Sequence, residues 1–315
     1  MLSHNASTIV TEFIVGGFDT TSSPILVGVV ILTVYIVAVL ANLVNILIII
    51  NDKKLHKPMY LLICNLAVVD LLYSSSVSPT MIRVLVTGVK KISYLPCLIQ
   101  MFVFNLAEVM EMFALSIMAF DRLIAISCPF QYHSYLTNSR TLVLTYILWV
   151  VACGSVAFFL ATVISLPHCY SVLKYAFCDY AAVIRTTCVD LNYYFNMVAI
   201  IVFFLLFFTF SSICLSYIGI IYFVKLSSKN DKMKIGSTCS SHLIVVTCYY
   251  FPTFILFILT RLGVVLTLEE RNGLIIGSIL GPSLINPFVY CLRTKEINCK
   301  ILMMSKRFKA QITWS

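Results

Sequence analysis

Residues 25–50 read ILVGVVILTVYIVAVLANLVNILIII and contain no charged side chain. A helix that crosses the ~30 Å hydrocarbon core of a bilayer needs about 20 mainly apolar residues. The whole 315-residue chain has the same character: 60% of it is hydrophobic, 11% is charged, and its mean hydropathy is +0.98. Soluble domains are about 45–50% apolar and about 25% charged. The composition therefore excludes a soluble globular domain, a disordered chain, a coiled coil and a nucleic-acid-binding domain, and it predicts a membrane protein.

Seven stretches are long and apolar enough to be predicted as membrane-spanning helices, although the third is the least apolar. They are 25–50, 59–83, 97–122, 142–166, 193–224, 237–259 and 274–292. Strands of a membrane barrel would be about 10 residues long with strict alternation of polar and apolar side chains, which these stretches lack. The predicted fold class is an all-α membrane protein, a bundle of seven transmembrane helices.

The distribution of basic residues predicts the orientation of this bundle. With the N-terminus outside, 15 of the 22 Lys and Arg residues fall on the cytosolic side, as basic residues in short loops normally do. We therefore expect an extracellular tail over 1–24 without a cleavable signal peptide, a seven-transmembrane domain over 25–292, and a cytosolic tail over 293–315. Basic and apolar residues interleave in this last tail, which predicts a short helix on the inner leaflet. The sequon at Asn5 is a predicted glycosylation site.

The cysteines agree with this topology. Of the 12 cysteines, four fall in segments predicted to be outside, where disulfides form. These four are Cys97, Cys169, Cys178 and Cys188. They predict two disulfides with three conceivable pairings, and a bond from Cys97 to the loop 167–192 would lay that loop across the outer mouth of the bundle.

Ionisable side chains inside membrane spans are costly and usually mark a functional site. Asp70 lies ~18 Å along the second span and Glu111 ~21 Å along the third, so both are near mid-depth. Glu108 lies one turn nearer the outside, and Asn42 and Asn286 lie at comparable depth in the first and seventh spans. The two carboxylates and two amides at one level, Asp70, Glu111, Asn42 and Asn286, predict a site for Na⁺ or a shared proton. The alternative is a hydrogen-bonded network that only fixes helix packing.

The same carboxylates would also suit a proton-linked transporter or channel. Against this, the chain shows no paired halves with interrupted helices and no Lys or Arg within spans four to seven. No soluble catalytic domain, nucleophile–base arrangement or cluster of metal ligands is recognisable, so we predict neither an enzyme nor a cofactor other than a structural or allosteric sodium ion at Asp70 and Glu111.

Five short strings then carry a family resemblance. They are LHKPMYL at 55–61, NLAVVDL at 65–71, MAFDRLIAI at 118–126, STCSSHL at 237–243 and PSLINPFVYCLR at 282–293. Together they resemble the rhodopsin-like G-protein-coupled receptors and, through the first and fourth strings, the odorant receptors among them. The resemblance implies a plasma-membrane receptor whose partners are a small odorant, a heterotrimeric G protein and membrane lipid, with cAMP as the signal and no role for nucleic acid.

The resemblance also implies roles for individual residues. It pairs Cys97 with Cys178 and Cys169 with Cys188, and it assigns a mid-membrane cation site to Asp70, Glu111 and Asn286, to which the depth argument adds Asn42. The residues that match the family's activation switch are Asp121, Arg122, Tyr217, Asn286, Pro287 and Tyr290. Leu123 departs from the pattern, because tyrosine usually follows this arginine.

A ligand pocket is expected between the outer halves of spans three, five, six and seven. The candidate residues are Met101, Phe104, Asn105, Glu108, Met112, Tyr250, Thr253 and Phe254. Each could instead simply pack between helices. A carboxylate at Glu108 could pair with a cationic ligand, whereas Phe104 stands where amine receptors carry their acidic anchor, which argues against an ordinary biogenic amine. The second interpretation within receptors is a rhodopsin-like receptor for a small metabolite outside the nose.

Overall fold

A computed structural model describes residues 10–226, 229–262 and 266–293 of the chain. Within them the chain forms nine helices and three short strands. The helices are α1 (Pro24–Asn51), α2 (Pro58–Ile82), α3 (Tyr94–Ser127), α4 (Tyr132–Tyr135), α5 (Asn138–Ser165), α6 (Tyr180–Ile184), α7 (Leu191–Leu226), α8 (Lys229–Arg261) and α9 (Leu268–Arg293). The strands are β1 (Glu12–Val15), β2 (Lys91–Ser93) and β3 (Val172–Leu173). The predicted glycosylation site Asn5 and the predicted amphipathic helix of the C-terminal tail lie outside the described residues.

The seven long helices coincide with the seven predicted spans, and the seven-helix fold is confirmed. Six of them, in the described part of the chain, are apolar and long enough to cross a membrane. The most apolar stretch of α1 has a mean hydropathy of 2.8, yet only 17% of it is buried inside the protein, so its apolar surface must face lipid. The remaining long helix, α3, carries four charged side chains, Glu108, Glu111, Asp121 and Arg122.

α3 is the central helix of the bundle. It packs against α2, α5, α7 and α8, and 16 of its 34 residues are buried. Two apolar clusters surround it, one toward the disulfides and one toward the opposite end. The charged residues of α3 are therefore shielded from lipid by more apolar helices, which lets the least apolar span occupy the middle.

α9 begins earlier than the sequence predicts. Residues 269–273 were expected in a loop because they are polar, but they form the first turns of this helix. Thr267 Oγ1 accepts a hydrogen bond from the Glu270 backbone N–H at 3.2 Å, and the Glu270 carboxylate accepts one from the Thr267 backbone N–H at 2.9 Å. This reciprocal capping box satisfies two free N–H groups at the start of the helix.

The sequence predicts residues 1–24 as an extracellular tail, and part of this segment is folded against the outer loops. β1 pairs antiparallel with β2 and parallel with β3, so a three-stranded sheet joins this segment to two outer loops. Phe13 and Val15 of β1 are completely buried. Gly17 follows the strand so closely against Tyr175 that an added Cβ would lie 2.2 Å from that residue's backbone carbon, and only glycine fits there.

Two disulfides hold the loop between α5 and α7. Cys97 at the start of α3 is bonded to Cys178, and Cys169 is bonded to Cys188, with Cα–Cα distances of 5.4 Å in both. This is the pairing that the family resemblance implies. We call the side of the bundle that carries these bonds the outer side, and the loop crosses it as expected.

Candidate functional site: a polar axis along the central helix

The centre of the bundle holds a buried carboxylate–amide pair. Asn286 of α9 donates from Nδ2 to both carboxylate oxygens of Asp70 of α2, at 3.0 and 3.1 Å. Asp70 is completely buried, and Asn286 is 1% exposed. The Ser283 hydroxyl donates within the same cluster, to the Asp70 backbone carbonyl at 3.5 Å and to its own helix. The pair ties α2 to α9 at mid-depth.

Around this pair lie four further buried oxygen atoms. Both carboxylate oxygens of Glu111, Oδ1 of Asn286 and Oδ1 of Asn42 are buried and accept no hydrogen bond from the described residues. Glu111 lies close enough to Asp70 and Asn286 to interact with both, and the Asn42 amide donates to the Ser283 carbonyl at 2.9 Å. Buried carboxylate and amide oxygens are ligands for hard cations, so the donor set fits the predicted sodium ion.

The predicted ligand residues of α3 divide into two groups. Met101, Phe104 and Met112 are buried, whereas Asn105 and Glu108 are only half-buried. The Phe104 ring stacks on Tyr73 with 5.3 Å between centroids and lies 4.9 Å from Phe177 of the outer loop. Phe104 thus connects α2 to the loop that covers the mouth.

The predicted residues of α8 face α7. The Tyr250 hydroxyl donates to Thr209 Oγ1 at 2.9 Å, and the ring of Phe254 lies 5.0 Å from that of Phe210. Thr253 donates back to its own helix, to the Tyr249 carbonyl. Tyr249, which sequence reasoning missed, is 1% exposed and donates from its hydroxyl to the Glu108 backbone carbonyl at 3.1 Å. It joins α8 directly to α3 at Glu108, one of the predicted ligand residues.

A second missed residue, Gln100 of α3, fastens the outer loop. Its amide donates to the Ser76 carbonyl at 2.7 Å and to Thr80 Oγ1 at 2.9 Å, both on α2. Its Oε1 accepts from the Cys178 backbone N–H at 2.9 Å. Gln100 therefore holds the disulfide-bonded part of the loop from below.

We call the loop between α5 and α7, residues 166–190, the lid. Charged and aromatic side chains lie within it and against it. The Arg271 guanidinium lies 4.2 Å from the centroid of the Tyr175 ring, and Arg185 lies 4.8 Å from that of Phe195. Both arginines act electrostatically on Asp179, which caps α6 by accepting from the Ala182 N–H. Burial raises the pKa of Asp179 to about 6, against the opposing effect of the Ala182 hydrogen bond and the arginines. The lid therefore carries a carboxyl group that titrates near neutral pH.

At the other end of α3, the predicted switch pair is buried rather than a surface pair. Arg122 Nε lies 3.9 Å from Asp121 Oδ2, with side chains 11% and 2% exposed. The closer partner of Asp121 is Tyr132, whose hydroxyl donates to Oδ1 at 2.7 Å. Burial, followed by the neighbouring Asp121, raises the pKa of Tyr132, so it is a protonated donor at neutral pH. Asp121 is thus shared between Arg122 and the loop after α3.

One of the two predicted switch tyrosines, Tyr217, is connected to α3 through a histidine that sequence reasoning did not assign. Tyr217 of α7 lies 2.9 Å from His242 Nδ1, and His242 Nε2 lies 3.1 Å from the Leu115 carbonyl of α3. Tyr290 of α9 contacts Met118 Sδ at 3.9 Å. His242 thereby links α3, α7 and α8. The sequence signal that could have identified His242 was its position in the string at 237–243, which lies opposite Tyr217 in the structure.

These features coincide with the result of comparison with known proteins. A family model described as "Olfactory receptor" matches residues 31–307. The chain belongs to the olfactory receptor family. It is 31% identical over 296 residues to rat olfactory receptor 1500, covering 93% of this chain and 94% of that protein. It is also 31% identical to human olfactory receptor 10G4 and 32% identical to human olfactory receptor 2L3, with at least 94% of each chain covered.

Membership of the olfactory receptor family settles the class of this protein. It is a G-protein-coupled receptor of the plasma membrane with several membrane-spanning helices, and it is not an enzyme. In an olfactory receptor the outer side, with its disulfides and lid, is extracellular, and Arg122, Tyr217 and His242 lie toward the cytosol.

Proposed function

We propose that this olfactory receptor binds a small odorant between the outer halves of α3, α7, α8 and α9 and activates a stimulatory, olfactory-type G protein that raises cAMP. The observation that carries the proposal is that α3 bears both a residue of the proposed ligand site and the arginine of the proposed switch. Glu108 of α3 is half-buried within the outer half of the bundle, and Arg122 lies ~21 Å further along the same helix.

The bonds between helices suggest how a ligand would act. Tyr249 joins α8 to Glu108, and three residues later Pro252 interrupts the hydrogen bonding of α8, which makes a hinge. Below the hinge, His242 connects α8 to α3 and to Tyr217. A ligand that displaces Tyr249 would tilt the cytosolic half of α8 and loosen these contacts. Opening there would expose Arg122 to the G protein.

We further propose that Na⁺ binds between Asp70, Glu111, Asn286 and Asn42. The support is the set of buried oxygens that accept no hydrogen bond from the described residues. A bound cation would offset the cost of placing two carboxyl groups at mid-membrane depth. Because it would bridge α1, α2, α3 and α9, it would stabilise one arrangement of these helices over another.

The signalling proposal is tested by cAMP output from cells that express the receptor and are given an odorant panel. We expect Arg122→Ala to lose the response at normal surface expression. Arg140→Ala is the matched control, because Arg140 lies at the start of α5 and its side chain donates to the nearby Ser134 and Tyr135 carbonyls. An Arg122→Ala dose response equal to wild type would remove the switch assignment, and ligand-driven current without G protein would favour a transporter or channel.

The sodium proposal is tested separately in membranes from the same cells. Replacing Na⁺ by choline should change the odorant dose response of wild type and leave that of Asp70→Asn unchanged. Equal effects of sodium on both receptors would contradict the site.

A further inference from the structure

Glu108 lies on the inward face of α3, because Phe104, Glu111 and Met112, one helical turn away on the same face, are all buried. Its own side chain keeps some accessible surface, and groups from α8, α2 and the outer loop lie near it. Tyr249 of α8 bonds to its backbone carbonyl, Tyr73 of α2 lies within electrostatic range, and Asp179 of the lid acts on it from above. The accessible surface of Glu108 therefore opens into the interior of the outer bundle.

In the part of the chain that the structure describes, the Glu108 carboxylate has no cationic partner. It takes part in none of the ion pairs there, and the charged side chains that interact with it are Asp179 and Glu111, both acidic. The lid arginines, Arg185 and Arg271, act on Asp179 and on the ring of Tyr175. Below the lid, the axis of the bundle is thus a column of acidic groups, which attracts cations.

The walls around Glu108 suit an organic cation better than a metal ion. Tyr73, Phe104 and Phe177 form a connected aromatic wall above it, with centroid distances of 5.3 and 4.9 Å, and Tyr249 lies on the opposite helix. Aromatic faces attract ammonium groups, and apolar rings accommodate a hydrocarbon body. The oxygens without partners lie deeper, at Glu111 and Asn286, which separates the proposed sodium site from this one.

We propose that the ligand of this receptor is a small protonated amine with a compact apolar body. Its ammonium group pairs with the Glu108 carboxylate, and its hydrocarbon part lies against Met101, Phe104 and Phe177. This inference rests on the proposed odorant-receptor function and specifies its ligand class. The anchor stands one helical turn deeper than Phe104, the place where amine receptors carry theirs.

The experiment compares matched ligands that differ only in the polar group. Isoamylamine, isoamyl alcohol and isovaleric acid form one set, and cyclohexylamine and cyclohexanol form another. We expect the amines to raise cAMP at lower concentrations than the alcohols, and the acid to be inactive. Glu108→Gln should raise the half-maximal amine concentration on the order of 100-fold, because it leaves the ammonium unpaired. Wild type and Glu108→Gln should respond nearly equally to the alcohols.

Two further measurements keep the result interpretable. Glu108→Asp keeps the charge on a shorter side chain and should recover part of the amine response. Thermal stability of purified wild type at pH 7 should rise more with added amine than with the same concentration of the matched alcohol, which reports binding without signalling. Glu108→Gln should lose this difference.

The failures of the two proposals are distinguishable. If alcohols activate wild type and amines neither activate nor stabilise it, the amine inference is overturned while the odorant function stands. If amines stabilise the receptor but no ligand raises cAMP, the signalling proposal fails instead. Equal amine potency in wild type and Glu108→Gln would remove Glu108 as the anchor.

Discussion

Gln100→Leu tests whether polar bonds under the lid set the stability of the outer receptor. The substitution keeps a side chain of similar size but removes three hydrogen bonds, two to α2 and one to the Cys178 backbone N–H. Gln100 is 6% exposed, so water cannot easily replace the lost partners. Both disulfides remain in the variant, which isolates the contribution of the hydrogen bonds.

The expected magnitude follows from these three bonds. A neutral intramolecular hydrogen bond contributes about 1 kcal/mol net, and a buried group left without its partner costs about 1–3 kcal/mol. The loss in unfolding free energy should therefore be about 3 kcal/mol. For a chain of this length, whose unfolding entropy is about 0.7 kcal/mol/K, that corresponds to a fall of roughly 4–5 °C in unfolding temperature.

The assay is thermal unfolding of purified receptor in lipid nanodiscs, with surface expression measured in parallel. Gln131→Leu is the matched control, since Gln131 is exposed and its side chain makes no hydrogen bond to any of the described residues. Thr80→Val removes one of the three bonds and should give about a third of the effect. If Gln100→Leu unfolds within 1–2 °C of the Gln131→Leu control (a shift of roughly one lost bond or less), the hydrogen bonds do not hold the loop as reasoned here.

Three further predictions concern the lid, the cytosolic end and the N-terminal strand. Folding raises the pKa of Asp179 to about 6, so between about pH 4 and pH 6 the folded state keeps a proton that the unfolded state has lost. The stability of wild type relative to Asp179→Asn should therefore fall as pH rises from about 4 to about 6 and then level off. A difference in unfolding temperature that is constant from pH 4 to 7 would contradict this. Tyr132→Phe removes the 2.7 Å hydrogen bond to Asp121 and should raise basal cAMP, because the resting arrangement loses a charge-assisted bond; an unchanged or lower basal level would count against it. Gly17→Ala should reduce surface expression because its Cβ would meet the backbone at 2.2 Å, whereas Gly154→Ala, with open space around it, should not; equal expression of the two would refute the close-packing argument.

Helix positions were predictable because they depend on local properties. The run 25–50 became Pro24–Asn51, since a long apolar segment in lipid must satisfy its own backbone hydrogen bonds as a helix. The exception was α3, whose charged residues lower its hydropathy and whose assignment drew on family motifs. The start of α9 was misjudged because polar residues in a capping box look like a loop when only composition is considered.

The contacts of the site were harder to predict, since they depend on how helices rotate against each other. Tyr249 and Glu108 are 141 residues apart, and His242 and Leu115 are 127 apart. Composition indicated neither bond. The depth of each residue along its helix did predict that Asp70 and Asn286 lie at one level, and in the structure Asn286 donates a hydrogen bond to Asp70. Depth alone could not reveal that the Asn105 amide turns back to its own helix, at the Met101 carbonyl.

The two proposed cations lie too close together to bind independently. Glu108 and Glu111 are three residues apart on α3, a rise of ~4.5 Å, and two unit charges about 4 Å apart at an effective dielectric constant of 20 repel by about 4 kcal/mol. Ligand flexibility and screening reduce this, but the sign stays, so sodium and a protonated amine should weaken each other's binding reciprocally. Raising Na⁺ at constant ionic strength should shift the amine dose response to higher concentration and leave the isoamyl alcohol response in place. An equal shift for both ligands would mean that sodium acts on the helix arrangement alone and that no ammonium group sits at Glu108.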